Sequence, residues 1–204
     1  FNDVTFSGNS TYRFPYYGAS DVTISGDLTM SGTPDIKQWR RNLIVTGDVT
    51  IGSGCVYDCE GSGVDGVDSD FTAGSLTISS GGTFKASSGT TTITDQAGSG
   101  YAFRELGTFT HNNGTMKFTD TGSHPYVQGS SFYNLEVALA ASTLEFRWED
   151  SGGSLVTIDN DLTITRGRFK FNTAGDSITV HGLTKLESDG QFGLGSPSGT
   201  HAFN

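Results

Sequence analysis

Val22-Thr23-Ile24-Ser25-Gly26-Asp27-Leu28-Thr29-Met30 decides the fold: apolar-Thr-apolar, a Gly-Asp turn, then apolar-Thr-apolar again. Alternation of this kind sends the apolar side chains to one face of a strand and the threonines to the other. The phrase returns as Leu43-Ile44-Val45 with Val49-Thr50-Ile51, as Leu76-Thr77-Ile78 with Thr83-Phe84, and as Thr108-Phe109-Thr110 with Met116-Lys117-Phe118. Later copies are Leu135-Glu136-Val137 with Leu144-Glu145-Phe146, Val156-Thr157-Ile158 with Leu162-Thr163-Ile164, and Ile178-Thr179-Val180 with Leu183-Thr184-Lys185-Leu186. Recurrence on this scale marks a solenoid.

First strands at Val4, Val22, Leu43, Leu76, Thr108, Leu135, Val156 and Ile178 are spaced by 18, 21, 33, 32, 27, 21 and 22 residues. The spacing predicts an all-β chain, a single right-handed parallel β-helix of about eight coils filling residues 1–204 as one domain. The long steps are read as coils carrying loops at 52–74, 95–107 and 119–131. Each loop follows the second strand of its copy, so all three are expected to leave at one corner and stack on one side. The alternative is an antiparallel β-sandwich, for which Asn113-Gly114 is the strongest hairpin signal. A sandwich gives no reason for a step near 21. No window of helical periodicity exceeds two turns, so almost no helix is expected.

The chain carries 12 Lys+Arg against 22 Asp+Glu, a net charge of −10, with 34% hydrophobic residues and 29 Gly. Low hydrophobicity suits a thin core that takes one face of each strand. The acidity argues against nucleic acid, which requires a basic stripe, and against anionic membrane surfaces. No apolar run approaches membrane-spanning length, so no membrane insertion is expected. Phe203-Asn204 repeats the opening Phe1-Asn2, and the parent chain is expected to continue the array on at least one side.

Chemistry-bearing residues gather in the first long loop. Cys55 and Cys59 lack the further ligands a zinc site requires, and are read as a disulfide clipping the loop base in an oxidising setting. That bridge needs a turn between them; the alternative is two ordinary small loop residues. Asp58, Glu60, Asp65, Asp68 and Asp70 form an acidic cluster. Its default reading is a solvated loop, and its alternative a Ca²⁺ site, the one cofactor the chain suggests. An EF-hand is excluded, because Ser69 stands where a bidentate Glu belongs. Gly61-Ser62-Gly63-Val64-Asp65-Gly66 matches a dinucleotide fingerprint formally, but no helix follows and the loop repels phosphate. No nucleophile elbow or metal-type His pair occurs, and no catalytic residue is assigned. The candidates for glycan or partner contact are Trp39 with Arg40 and Arg41, Tyr57, Tyr101, Arg104 and Tyr126, since exposed aromatics stack on sugar rings and anchor proteins.

Asp27-Leu28-Thr29-Met30-Ser31-Gly32-Thr33, the stretch from Gly107 to Thr115, and Phe132-Tyr133-Asn134-Leu135-Glu136-Val137 resemble the degenerate repeats of β-helical regions in bacteriophage fibre, spike and decoration proteins and in secreted bacterial adhesins. The resemblance implies a noncatalytic structural or adhesive module on an extracellular or virion surface. Its partners would be other segments of the same fibre or particle, a surface receptor, or a polysaccharide. The alternative is a β-helical polysaccharide lyase or glycoside hydrolase, in which Asp65, Asp68 and Asp70 work beside Arg104 and Glu105.

Overall fold

The computed structural model describes residues 1–14, 20–39, 41–60, 69–119, 122–129, 131–149, 155–173 and 175–193. Strands come three to a coil. The first coil holds β1 (Val4–Gly8), β2 (Thr11–Arg13) and β3 (Val22–Ile24); the second holds β4 (Leu28–Gly32), β5 (Asp35–Lys37) and β6 (Leu43–Val45). Next come β7 (Asp48–Ile51), β8 (Val56–Asp58) and β9 (Phe71–Ala73), then β10 (Ser75–Ile78), β11 (Thr83–Lys85) and β12 (Thr90–Ile93). The fifth coil has β13 (Tyr101–Glu105), β14 (Thr108–Thr110) and β15 (Thr115–Phe118), and the sixth β16 (Tyr126–Gln128), β17 (Ser131–Phe132) and β18 (Asn134–Ala138). The last are β19 (Glu145–Trp148), β20 (Leu155–Ile158), β21 (Leu162–Phe171), β22 (Ser177–Val180) and β23 (Thr184–Gly193).

Every third strand stacks in parallel register, which makes three faces. Face 1 runs β1-β4-β7-β10-β13-β16-β19 and face 3 runs β3-β6-β9-β12-β15-β18; they join in one sheet because the ten-residue β21 turns the corner between them. Face 2 is a five-stranded sheet, β2-β5-β8-β11-β14, followed by a three-stranded one, β17-β20-β22. The result is a right-handed parallel β-helix of about seven turns. All pairings are parallel, which excludes the sandwich.

The register explains the uneven sequence spacing. Along face 1 the inward residues Val4, Leu28, Val49, Leu76, Phe103, Val127, Trp148 and Phe171 stand in line. Their steps are 24, 21, 27, 27, 24, 21 and 23 residues. The repeated phrase does not mark one face: Val22 and Leu43 begin face 3 strands, Leu76 lies on face 1, and Val156 on face 2. Val4 and Val22 belong to the same coil, so counting phrases overestimates the coils.

The expected loop positions need correction for the same reason. Segment 52–74 contains β8 and β9, segment 95–107 contains β13, and segment 119–131 contains β16. The connections that remain are 59–70, between faces 2 and 3, and 94–100 and 119–125, between faces 3 and 1. Two of the three share a corner and the first does not. Asn113-Gly114 is the second half of a turn from His111 to Gly114, with φ of 47° at Asn112 and 60° at Asn113 and a 2.9 Å bond from Gly114 N–H to His111 O. Positive φ at both central residues is the type I′ pattern. Here it turns the chain from face 2 to face 3 instead of closing a hairpin.

Aromatic rings fill the interior. Tyr57 stacks on Phe84 at 5.7 Å and Phe84 on Phe109 at 6.3 Å, while Phe132 touches rings from all three faces. Trp148 is fully buried, and its indole Nε1 has no hydrogen-bond partner among the described residues. Large rings let a chain only 34% hydrophobic close its core.

Asp and Asn side chains tie coil to coil at the corners. Between faces 3 and 1, Asp27 N–H donates to Asp3 Oδ1 at 3.0 Å and Asp48 N–H to Asp27 Oδ1 at 2.8 Å. Between faces 2 and 3, Asn42 Nδ2 donates to Asp21 at 3.3 Å, and Asp70 N–H donates to Asn42 Oδ1 at 2.8 Å. Each such side chain satisfies a backbone donor that the corner would otherwise orphan. Replacing Asn42 with Ala is expected to lower stability by about 1 kcal/mol, read as a drop in the urea midpoint at unchanged slope. Glycine is needed where the corners stack tightest: a Cβ on Gly74 would lie 2.7 Å from the carbonyl oxygens of both Thr46 and Gly47.

Candidate functional site

Threonine dominates the outer surface of face 1 in the early coils, where Thr5, Thr29, Thr50 and Thr77 stand in register. The next positions in that line are Arg104 and Gln128. Beside it runs a second line, Tyr101, Tyr126, Arg147 and Lys170, and then a third, Glu145, Arg168 and Gln191. A neutral Thr column thus gives way to a strip of tyrosine and arginine along coils five to eight.

The strip is held in place by its own contacts. Tyr101 and Tyr126 have ring centroids 6.1 Å apart. The Arg104 guanidinium lies 4.9 Å from the Tyr101 centroid and its Nε donates to Gln128 Oε1 at 3.3 Å. Arg147 lies 5.5 Å from the Tyr126 centroid, donates to the Tyr126 hydroxyl at 2.9 Å, and donates through Nε to Glu145 Oε2 at 2.9 Å. Glu145 also receives Lys170 at 3.4 Å and Arg168 at 3.5 Å. Burial alone would raise the Glu145 carboxyl, but the hydrogen bonds and charges of Arg147 and Lys170 hold it below its usual value. Three cations therefore face Glu145, and Arg104 adds a fourth to the strip, in a chain whose acids outnumber its bases 22 to 12. Such a surface offers flat rings for stacking and N–H forks for oxyanions.

Of the candidate contact residues, Tyr101, Arg104 and Tyr126 are brought together here. Trp39 is not among them: it lies in the second coil under Arg13, whose guanidinium is 4.6 Å from the indole centroid. Arg41 follows in the same corner, where its carbonyl accepts Gln38 Nε2 at 2.9 Å, and Arg40 lies outside the described residues. Tyr57 must be withdrawn as a contact residue. It is fully buried, its hydroxyl donates to Gln38 Oε1 at 3.0 Å, and burial pushes its phenol well above the ordinary value.

The disulfide expectation also fails. Cys55 and Cys59 are free and buried. The three residues of β8 lie between them, and four extended steps separate their Cα atoms by about 13 Å, roughly twice what a bridge spans. Burial, then Asp58 and Glu60, raise the Cys59 thiol, which keeps it protonated and unreactive.

The acidic cluster is largely spoken for. Asp58 Oδ2 pairs with Lys37 at 3.4 Å and Lys85 at 3.2 Å across face 2. Glu60 accepts Ser88 N–H at 2.6 Å, and Asp70 Oδ1 accepts Thr90 N–H at 2.8 Å. Asp65 and Asp68 lie outside the described residues, and among the described residues no three His, Cys, Asp or Glu side chains converge on a cation position. Asp70 precedes face 3 while Arg104 projects from face 1, so that acid–base pair does not share a groove.

Sequence reading missed Gln128, Glu145, Arg147, Arg168, Lys170 and Gln191. Their signal is the alternation in Glu145-Phe146-Arg147-Trp148 and Arg168-Phe169-Lys170-Phe171, whose polar positions fall on one outer face only once the coil register is known. A depression of about 410 Å³ on face 3 is a weaker candidate. Its charges are paired, with Lys117 on Glu136 at 2.9 Å, Arg166 near Asp189 at 3.7 Å and Glu187 on Lys185 at 2.7 Å. No protein-family model, curated protein or solved structure matches this chain.

Proposed function

We propose that the chain is a noncatalytic adhesive and structural module of an extracellular or virion-surface fibre or particle. Its β-helix serves as a rigid rod, and the Tyr101–Tyr126 strip on face 1 engages a surface polysaccharide. The observation that carries this reading is the adjacency of two half-exposed tyrosines, each with an arginine against its ring and Tyr126 held also through its hydroxyl by Arg147, a preorganised platform for sugar rings. Face-wide parallel pairing supplies the rigidity. The resemblance to β-helical phage fibre and adhesin repeats supports the setting, and partners would include neighbouring segments of the same assembly.

The test is retention of the chain on immobilised polysaccharides, with release of reducing or unsaturated ends monitored in the same samples. Retention without product is expected, and Tyr126→Ala should weaken it at least about ten-fold. Turnover of any retained polysaccharide would replace this reading with the lyase or hydrolase one.

A further inference from the structure

From Lys85 onward, every described Lys and Arg except Arg104 has a carboxylate within 3.7 Å. Arg104 spends its Nε on Gln128 and its flat face on Tyr101, leaving the Nη edge of the guanidinium without a protein acceptor among the described residues. Its plane is thereby fixed while its fork is open, the arrangement that receives a carboxylate or sulfate in two parallel hydrogen bonds.

We infer that the face 1 strip selects acidic polysaccharides, with Arg104 meeting the oxyanion of a uronate or sulfated sugar and Tyr101 and Tyr126 stacking on adjoining rings. This rests on the polysaccharide-adhesion reading above and adds the charge of the ligand to it. Neighbouring coils lie about 4.8 Å apart, so Tyr101 and Tyr126 present successive rings at a spacing comparable with one sugar unit. Arg168 and Lys170, two to three coils further on, share Glu145 with Arg147 and extend the positive potential along the same line. A neutral glycan would leave the Arg104 fork facing no acceptor. Nucleic acid fits less well, because the chain carries −10 overall and such polyanions are held by many phosphate contacts.

The test compares four probes at about 0.15 M salt: an oligogalacturonate, a heparin-derived oligosaccharide, a neutral cello-oligosaccharide and single-stranded DNA. Wild-type protein should prefer one or both acidic saccharides, the first two probes separating carboxylate from sulfate. Arg104→Gln should weaken that binding about ten-fold, Arg104→Lys should restore part of it, and Thr50→Ala in the neutral column should change nothing. Unchanged binding by Arg104→Gln, equal affinity for the neutral saccharide, or tighter binding of DNA overturns the inference. Neutral binding that still depends on Tyr126 would leave adhesion standing without acid selectivity, whereas no saccharide binding at all removes both. If Arg104→Gln does not fold, the wild-type protein decides: loss of acidic-saccharide binding on raising salt supports the inference, and salt-independent binding overturns it.

Discussion

Replacing Phe132 with Ala is expected to destabilise the β-helix by about 4 kcal/mol. Phe132 lies on the two-residue strand β17 and is fully buried. Its ring contacts Phe103 at 5.8 Å, Phe109 at 5.8 Å, Phe118 at 6.5 Å and Trp148 at 6.0 Å. Those four rings come from coils five and seven, on either side of Phe132, and include all three faces of the solenoid. Truncation removes the residue through which neighbouring coils grip one another, and the surrounding strands cannot collapse inward because their backbones are locked in parallel register. The check is chemical denaturation, with the midpoint lowered, beside Leu155→Ala, whose parent side chain is 54% exposed and should cost no more than about 0.5 kcal/mol. A solenoid's stability is close to a sum of coil and nearest-neighbour terms. Hydrogen exchange in the variant should therefore accelerate first around β14 to β20 and last around β4 to β10. A loss below about 1.5 kcal/mol, or uniform acceleration along the chain, would mean that the aromatic column does not carry the coupling between coils.

Much of this core was legible in the sequence. The Val22-to-Met30 phrase establishes strands, inward and outward residues, and a stack instead of a hairpin array. What it lacks is the face on which each copy sits, because corners, unlike strands, have no periodic signature. Leu76 and Val156 read alike, yet one belongs to face 1 and the other to face 2. Once the face is uncertain, outer residues of successive coils cannot be aligned. That is why Tyr101, Arg104 and Tyr126 were recognisable as single candidates while Arg147 and Glu145, which hold them, were not. Local chemistry misled where neighbours were invisible. Tyr57 reads as an exposed aromatic in an acidic loop, but β8 runs between β5 and β11 and turns the ring inward onto Phe84. Cys55 and Cys59 read as a clip only while the residues between them are taken as a turn.

Glu145→Gln is the second variant with a large expected effect. The Glu145 side chain is 13% exposed and is the common acceptor for Arg147, Arg168 and Lys170. Glutamine keeps the shape but removes the charge, so three mostly covered cations are left facing one another. A loss of about 2 kcal/mol at neutral pH is expected, smaller than for a fully buried pair because the guanidinium of Arg168 and the ammonium of Lys170 can turn outward to water. The pH dependence has a definite sign. The folded carboxyl titrates below its ordinary 4.5, so the native state binds fewer protons there than the unfolded one. Its stabilisation is complete above that value and disappears as pH falls through the lower folded one. The stability gap between wild type and Glu145→Gln should thus be flat from neutrality down to about pH 6 and close as the acid limb is entered below pH 4.5. Urea titrations of both proteins across that range measure it. A gap that persists unchanged into the acid limb would show that the glutamine costs packing and not charge, and that the three cations do not depend on Glu145. Closure of the gap would identify Glu145 as the counterion that lets an acidic chain hold a positive strip in fixed geometry while it waits for a ligand.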